Sequence, residues 1–158
     1  MKTCKMVRTK ERHLLVAIEV LDAVYGSGPS YTVPLSEVHK SIRDAVHRHV
    51  NGLSGPSDAD AAASSLQTKF YSPHAQAVLV RVPLVQYRRV REAVGLVKFA
   101  HKRPVKLSVA RAFGNALLAR RELARRLESS LRACPVTDAK GKKRIRSTLD
   151  SIEELQRR

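Results

Sequence analysis

Hydrophobic and polar positions alternate along Arg12–Val20, with Leu14, Val16, Ile18 and Val20 on one side and Leu15, Ala17 and Glu19 on the other. That two-residue period predicts a strand with one wholly apolar face. Gly26, Gly28, Pro29 and Pro34 mark a loop over Tyr25–Pro34. Val38, Ile42, Ala45, Val46, His49, Val50 and Leu53 then recur at helical spacing, with Ser36 as N-cap and Gly52 as the expected end. Ser54–Ser65 is low in complexity, rich in Ala and Ser, and reads as a flexible insertion. Alternation returns at Leu66–Tyr71, with Leu66, Thr68 and Phe70 against Gln67, Lys69 and Tyr71, and again at Ala77–Val82, its hairpin partner. Leu84, Tyr87, Val90, Val94 and Val97 predict a helix over Pro83–Ala100. Val105, Leu107 and Val109 predict a fourth strand, and a long helix follows Gly114-Asn115 with Leu117, Leu118, Leu123, Leu127 and Leu131 as its stripe and Pro135 as its stop.

The order β-α-β-β-α-β-α gives the expected fold class: α+β, a ferredoxin-like βαββαβ antiparallel sheet with an additional C-terminal helix. The expected organisation is a basic segment over 1–11, one domain over 12–132 with its flexible insertion at 54–65, and a charged tail over 133–158. Leu15, Ala17 and Leu79 fall on the sheet face opposite the two crossover helices, so the last helix or a partner has to cover them.

Charge changes this picture. The chain has 30 Lys and Arg against 14 Asp and Glu, a formal net charge of +16. Residues 81–126 alone hold thirteen cations and two anions, whereas 14–80 hold four cations and six anions. Such a surplus inside a small domain costs self-repulsion that a polyanion relieves. No apolar run approaches the roughly 20 residues that span a bilayer, the first ten residues have no apolar segment behind them, and the two cysteines suggest reduced thiols. Nucleic acid is therefore the expected partner, and no membrane.

A sheet of this topology suggests base stacking on its central strands, but the corresponding positions are Leu15, Ala17, Leu79 and Arg81. With no ring there, recognition of shape and backbone is favoured. The histidines and cysteines lack metal-ligand spacing, and no phosphate loop or nucleophile motif is present. Asp58 and Asp60 imitate an acidic metal pair and leave a small nuclease as one alternative. A protein-interaction module with a basic face is another.

The opening MVRTKERHLL, the strand-helix segment AVLVRVPLVQYRRVREAV and the run RPVKLSVARAFGNALLARREL resemble the Pop-five family, the small protein subunit of ribonuclease P and of ribonuclease MRP. The likeness spans roughly residues 6–53 and 66–128. Ala110-Arg111-Ala112 departs from the small step that family members carry after the fourth strand. The resemblance implies a non-catalytic RNA-binding subunit that supports a catalytic RNA removing the 5′ leader of precursor tRNA. It implies Mg²⁺ on the RNA and no cofactor on the protein, a TIM-barrel protein as neighbour, and a nuclear, nucleolar location. Lys140-Gly141-Lys142-Lys143-Arg144-Ile145-Arg146 is a basic cluster of the nuclear-import kind. Arg8, Lys10 and Arg12 match the family's RNA-facing stretch. Arg88, Arg89, Arg91, Lys102, Arg103 and Arg111 join them as RNA-binding candidates on the charge count. Another RNA-binding assembly or ribosomal-type protein of similar fold is the alternative.

Overall fold

The computed structural model describes residues 10–21, 33–72, 75–100 and 102–133, and the isolated positions 142, 143, 146, 147, 149, 150 and 153. Arg8, most of the 25–34 loop, the turn at Pro73-His74, the stop at Pro135 and most of the charged tail lie outside the described residues.

The first alternating segment is β1 (Glu11–Val20). It is followed by α1 (Leu35–Ser54), α2 (Pro56–Ser64), β2 (Gln67–Ser72) and β3 (Ala77–Pro83). A single 3₁₀ turn over Leu84–Gln86 leads into α3 (Tyr87–Gly95), then β4 (Phe99–Ala100), β5 (Arg103–Phe113) and α4 (Ala116–Ala133). The strands form one five-stranded sheet in the order β2-β3-β1-β5-β4, and every neighbouring pair is antiparallel.

Strand alternation splits the interior into two layers. Leu14, Val16 and Ile18 of β1, Val78, Val80 and Val82 of β3, and Val105 and Leu107 of β5 point to one face. There they meet Val38, Ile42, Val46 and Val50 of α1, Ala59 and Ala62 of α2, and Val90 and Val94 of α3. The opposite face contributes Leu15, Ala77, Leu79 and Phe113, packed against Ala119 and Leu123 of α4. The last helix thus supplies the cover that Leu15 and Leu79 require.

Several expectations are corrected. Helix α1 begins at Leu35 with Pro34 as its cap residue, so Ser36 does not cap it, and it runs past Gly52 to Ser54. The chain breaks at Gly55, whose φ of 91° is readily reached by glycine. The Ala/Ser stretch expected as a flexible insertion is helical over Pro56–Ser64: Pro56 stands at a helix start, where its missing N–H is no loss, and three alanines pack inward. The α3 pattern continues to Val97, but the helix ends at Gly95, and Phe99–Ala100 turns back to pair with Pro104 and Arg103. In α4 the inward positions include Ala119, Leu123 and Leu127, while Leu118 is exposed. The Asn115 side-chain oxygen accepts the Leu117 N–H at 2.8 Å, satisfying one of the free donors of the first turn.

Two register shifts reverse the alternation. Thr68 pairs with Val80 but Phe70 pairs with Leu79, so Lys69 is an extra residue in β2. Val16 pairs with Val109 but Leu15 pairs with Arg111, so Ala110 is extra in β5. Each bulge moves the following residues by one face. Phe70 and Phe113 consequently lie with the α4 layer, while Tyr71 and Ala112 turn toward the three-helix layer.

Candidate nucleic-acid interface

The registers locate the candidate cations on the sheet. Glu11 stands opposite Pro83 and His13 opposite Phe113, so the start of β1 and the ends of β3 and β5 share one rim. Lys10 is exposed beside it, and its carbonyl accepts the Leu84 N–H at 2.8 Å. Arg12 donates from Nη1 to the Glu11 carbonyl at 3.3 Å. A Cβ on Gly114 would meet that same Nη1 at 3.2 Å, so Gly114 leaves the guanidinium its room. The first turns of α3 leave from this rim as well, directly after Leu84–Gln86. Arg88 and Arg91, three apart and both exposed, share the outer surface of α3, and Arg91 donates to the Tyr87 hydroxyl at 3.4 Å.

The other candidates lie elsewhere. Lys102 and Arg103 sit at the β4–β5 turn, where Lys102 holds a positive φ of 61°. The 11 residues of β5 separate them from the Phe113 rim, roughly 33 Å at the usual strand rise of about 3.3 Å per residue. Arg89 turns to α2, 3.9 Å from Asp58. Arg111 lies over the Phe113 ring on the α4 side, 5.4 Å from its centroid. The structure therefore gathers Lys10, Arg12, Arg88 and Arg91 toward one end and leaves Arg89, Lys102, Arg103 and Arg111 apart from them. Arg8 lies outside the described residues.

Sequence reasoning passed over a second basic group. Arg81 forms a forked ion pair with Glu11, donating through Nε and Nη2 to the two carboxylate oxygens. This pairing holds the Glu11 carboxyl below the usual range and raises Arg81. Arg81 is also the strand neighbour of His13 and of Gln67. His13 is 9% exposed, and its Nδ1 has no hydrogen-bond partner. Burial, and then the cations of Arg81, Arg120 and Lys69, push its pKa below the ordinary value, against the pull of Glu11. Three cations from three different elements thus act on one ring. Charge counting had no means of joining them, because only the bulge and the helix docking bring them together.

The depressed histidine makes a stability prediction. A group held neutral in the folded state contributes fully above its unfolded value of 6.5 and loses that contribution as pH falls through the lower folded value. His39, also lowered by burial and by Arg43, acts in the same direction. The urea midpoint should fall between about pH 7.5 and about pH 5.5, and His13→Gln should lessen that fall. An identical fall in the variant would show that His13 is not held neutral.

Two further histidines bridge helices. His47 Nε2 lies 3.1 Å from Asp60 and His49 Nε2 3.1 Å from Glu92, joining α1 to α2 and to α3. Asp58 and Asp60, the acidic pair of the nuclease alternative, thus point to different partners, Arg89 and His47. Among the described residues no group of three or more His, Cys, Asp or Glu is arranged to hold a metal ion. No helix of the described residues is long and apolar enough to cross a membrane. Phe70 and Phe113 do bring rings to the sheet face read as ringless, but Phe113 is buried under α4 and Phe70 packs against the same cluster, so neither is laid open for stacking.

Comparison with known proteins adds the following. The sequence model of the Rpp14/Pop5 family matches residues 12–124. No curated protein matches the chain. Among solved structures, a chain of the cryo-EM structure of yeast ribonuclease MRP superposes with a TM-score of 0.51 at 10% sequence identity, covering 82% of this chain and 100% of its own. At that identity the likeness is one of fold.

Proposed function

The chain belongs to the Rpp14/Pop5 family, and from that premise we propose that it is a protein subunit of ribonuclease P or ribonuclease MRP that binds and supports the particle's RNA. The observation that carries the RNA-binding part is the rim where Lys10, Arg12, Arg88 and Arg91 stand on or near one end of the sheet, within a chain of net charge +16. Cations spread over a rigid surface, with the Phe70 and Phe113 rings of the sheet face packed against the α4 layer, suit the spaced phosphates of a folded RNA better than base-by-base readout.

In this reading the strand order β2-β3-β1-β5 is the ferredoxin-like arrangement, with β4 added at the edge and α4 on the second face. The RNA and its Mg²⁺ carry out the hydrolysis that removes the 5′ leader of precursor tRNA, and this chain supplies no catalytic group. A TIM-barrel protein of the same particle is the proposed protein neighbour, and the nucleus, with the nucleolus, the proposed location. The engagement of Asp58 and Asp60 with Arg89 and His47 supports this reading over a metal-dependent nuclease.

The test is recovery of a tagged chain from cells, followed by sequencing of the RNA that comes with it. The expected RNA is that of ribonuclease P or MRP, and a complex unaffected by ribonuclease treatment overturns the proposal. In vitro, neutralising about six phosphates gives a log-log salt slope of roughly −4 to −5. Changing Arg8, Lys10 and Arg12 together to glutamine should flatten it by up to about 3 units. An unchanged slope removes the opening segment from the interface.

A further inference from the structure

The end of the sheet opposite the Lys10 and Arg12 rim carries a ring that neither apolar layer takes in. Past α3, Val97 and Ala100 turn inward and are buried, which leaves Lys98 and Phe99 outward. Phe99 is 63% exposed and Leu96 56%, whereas Phe70 and Phe113 belong to the α4 layer. The backbone of Phe99 is fixed by pairing with Pro104, whose carbonyl accepts the Leu21 N–H at 2.9 Å. Beside it a cleft of about 530 Å³ runs between α1 and the α3–β4 connection, with Ser41, Asp44, Arg48, Leu96, Lys98 and Phe99 in its walls. We infer that this cleft takes one unpaired nucleobase of an RNA, stacked on Phe99, with the flanking phosphates on Lys98 and Lys102.

This inference rests on the RNA-binding reading and adds to it a contact in which a ring takes part. The volume lies in the usual range for clefts that hold a small ligand. Arg48 and Lys98 line the cleft against one carboxylate, Asp44, and Lys102 follows at the β4–β5 turn. Among the described residues none of these three cations is in an ion pair. Arg48 Nε donates to a neutral acceptor, the Asp44 carbonyl, at 3.3 Å, so its charge is not cancelled there. The walls thus combine two exposed apolar side chains with surplus positive charge. An apolar partner makes no use of the cations, and an inorganic anion makes none of the ring. A nucleotide within a strand brings both, a flat π-face and a phosphate on either side of it. Stacking on an open ring is tolerant of sequence, so it adds grip without base-by-base readout. It also gives Lys102, which the fold sets apart from the rim, an anion of its own. Arg103 is already engaged within the fold and is not counted.

The experiment uses the full-length chain and two probes, a single-stranded RNA of about ten nucleotides and the same strand annealed to its complement. Phe99→Ala should weaken binding of the single strand about tenfold while leaving its salt slope unchanged, since the ring carries no charge. Phe99→Tyr keeps a ring and should bind as the native chain does. Phe99→Leu keeps apolar bulk without a ring and should lose as much as Phe99→Ala. The annealed probe should change by less than about twofold in all three, because its bases are already paired and stacked. Lys98→Gln/Lys102→Gln should flatten the single-strand slope by about 1.4 units, two phosphates at about 0.7 each. All these side chains are largely exposed, so the urea midpoints should stay near the native one and report that each variant is folded. Native-like binding of the single strand by Phe99→Ala, equal losses on both probes, or an unchanged slope for the lysine pair overturns the inference alone. So does native-like binding by Phe99→Leu, which would mark the patch as an apolar docking surface for a protein. A native chain that binds neither these probes nor a ribonuclease P transcript instead removes the RNA-binding reading beneath it.

Discussion

Leu123→Ala should lower folding stability by about 3 kcal/mol, read as a shift of the urea midpoint at unchanged slope. Leu123 is 1% exposed and joins α4 to Leu15, Leu79 and Phe113, in a small layer that among the described residues has six buried side chains. Truncation removes the transfer energy of the side chain and leaves a cavity that a small layer cannot readily fill. A domain of ordinary stability, about 5–15 kcal/mol, would lose a large part of it. Leu118, five residues earlier on the same helix, is 51% exposed, and Leu118→Ala should cost less than about 0.5 kcal/mol. Equal effects from the two substitutions would show that α4 is not seated on the sheet as described.

Ala62→Asp should cost about 3 kcal/mol or more, because it places an unpaired carboxylate where Ala62 is 0% exposed within the main core. In a flexible Ala/Ser connection the same change would be nearly neutral and would add solubility. The two accounts of residues 54–65 thus differ by several kcal/mol on one thermal or urea unfolding curve. Ala61→Asp, on the exposed side of α2, provides the matched comparison and should stay within about 0.5 kcal/mol of the native chain.

These two substitutions mark where local pattern and tertiary context part. The β1 alternation was legible because Leu14 and Leu15 face opposite layers and both layers are apolar, so no neighbour had to be known. The α1 stripe was legible for the same reason, as Val38, Ile42, Val46 and Val50 recur at the helical period. The α2 helix was not, since alanine carries almost no periodic contrast. What orders it is packing against α1 and the sheet, together with bridges such as His47–Asp60 and Arg89–Asp58. The two-residue strand β4 was equally invisible, being defined only by its pairing with Pro104 and Arg103.

For the candidate site, the amino-acid sequence alone determined that the chain is strongly cationic, that its surplus lies after residue 80, and that its first strand has one wholly apolar face. Those properties follow from residue identity and from a two-residue period that depends on nothing distant. Only the tertiary structure decided which cations meet. The bulges at Lys69 and Ala110 are features of strand pairing, and each moves the side chains beyond it to the other face. Lys69, Arg81 and Arg120, on three different elements, all act on His13 through that register and the docking of α4. Conversely, Lys102, Arg103 and Arg111, close along the chain, are drawn out along one extended strand. Charge counting measures proximity in sequence, whereas electrostatic energy depends on distance in space, and only the fold relates the two.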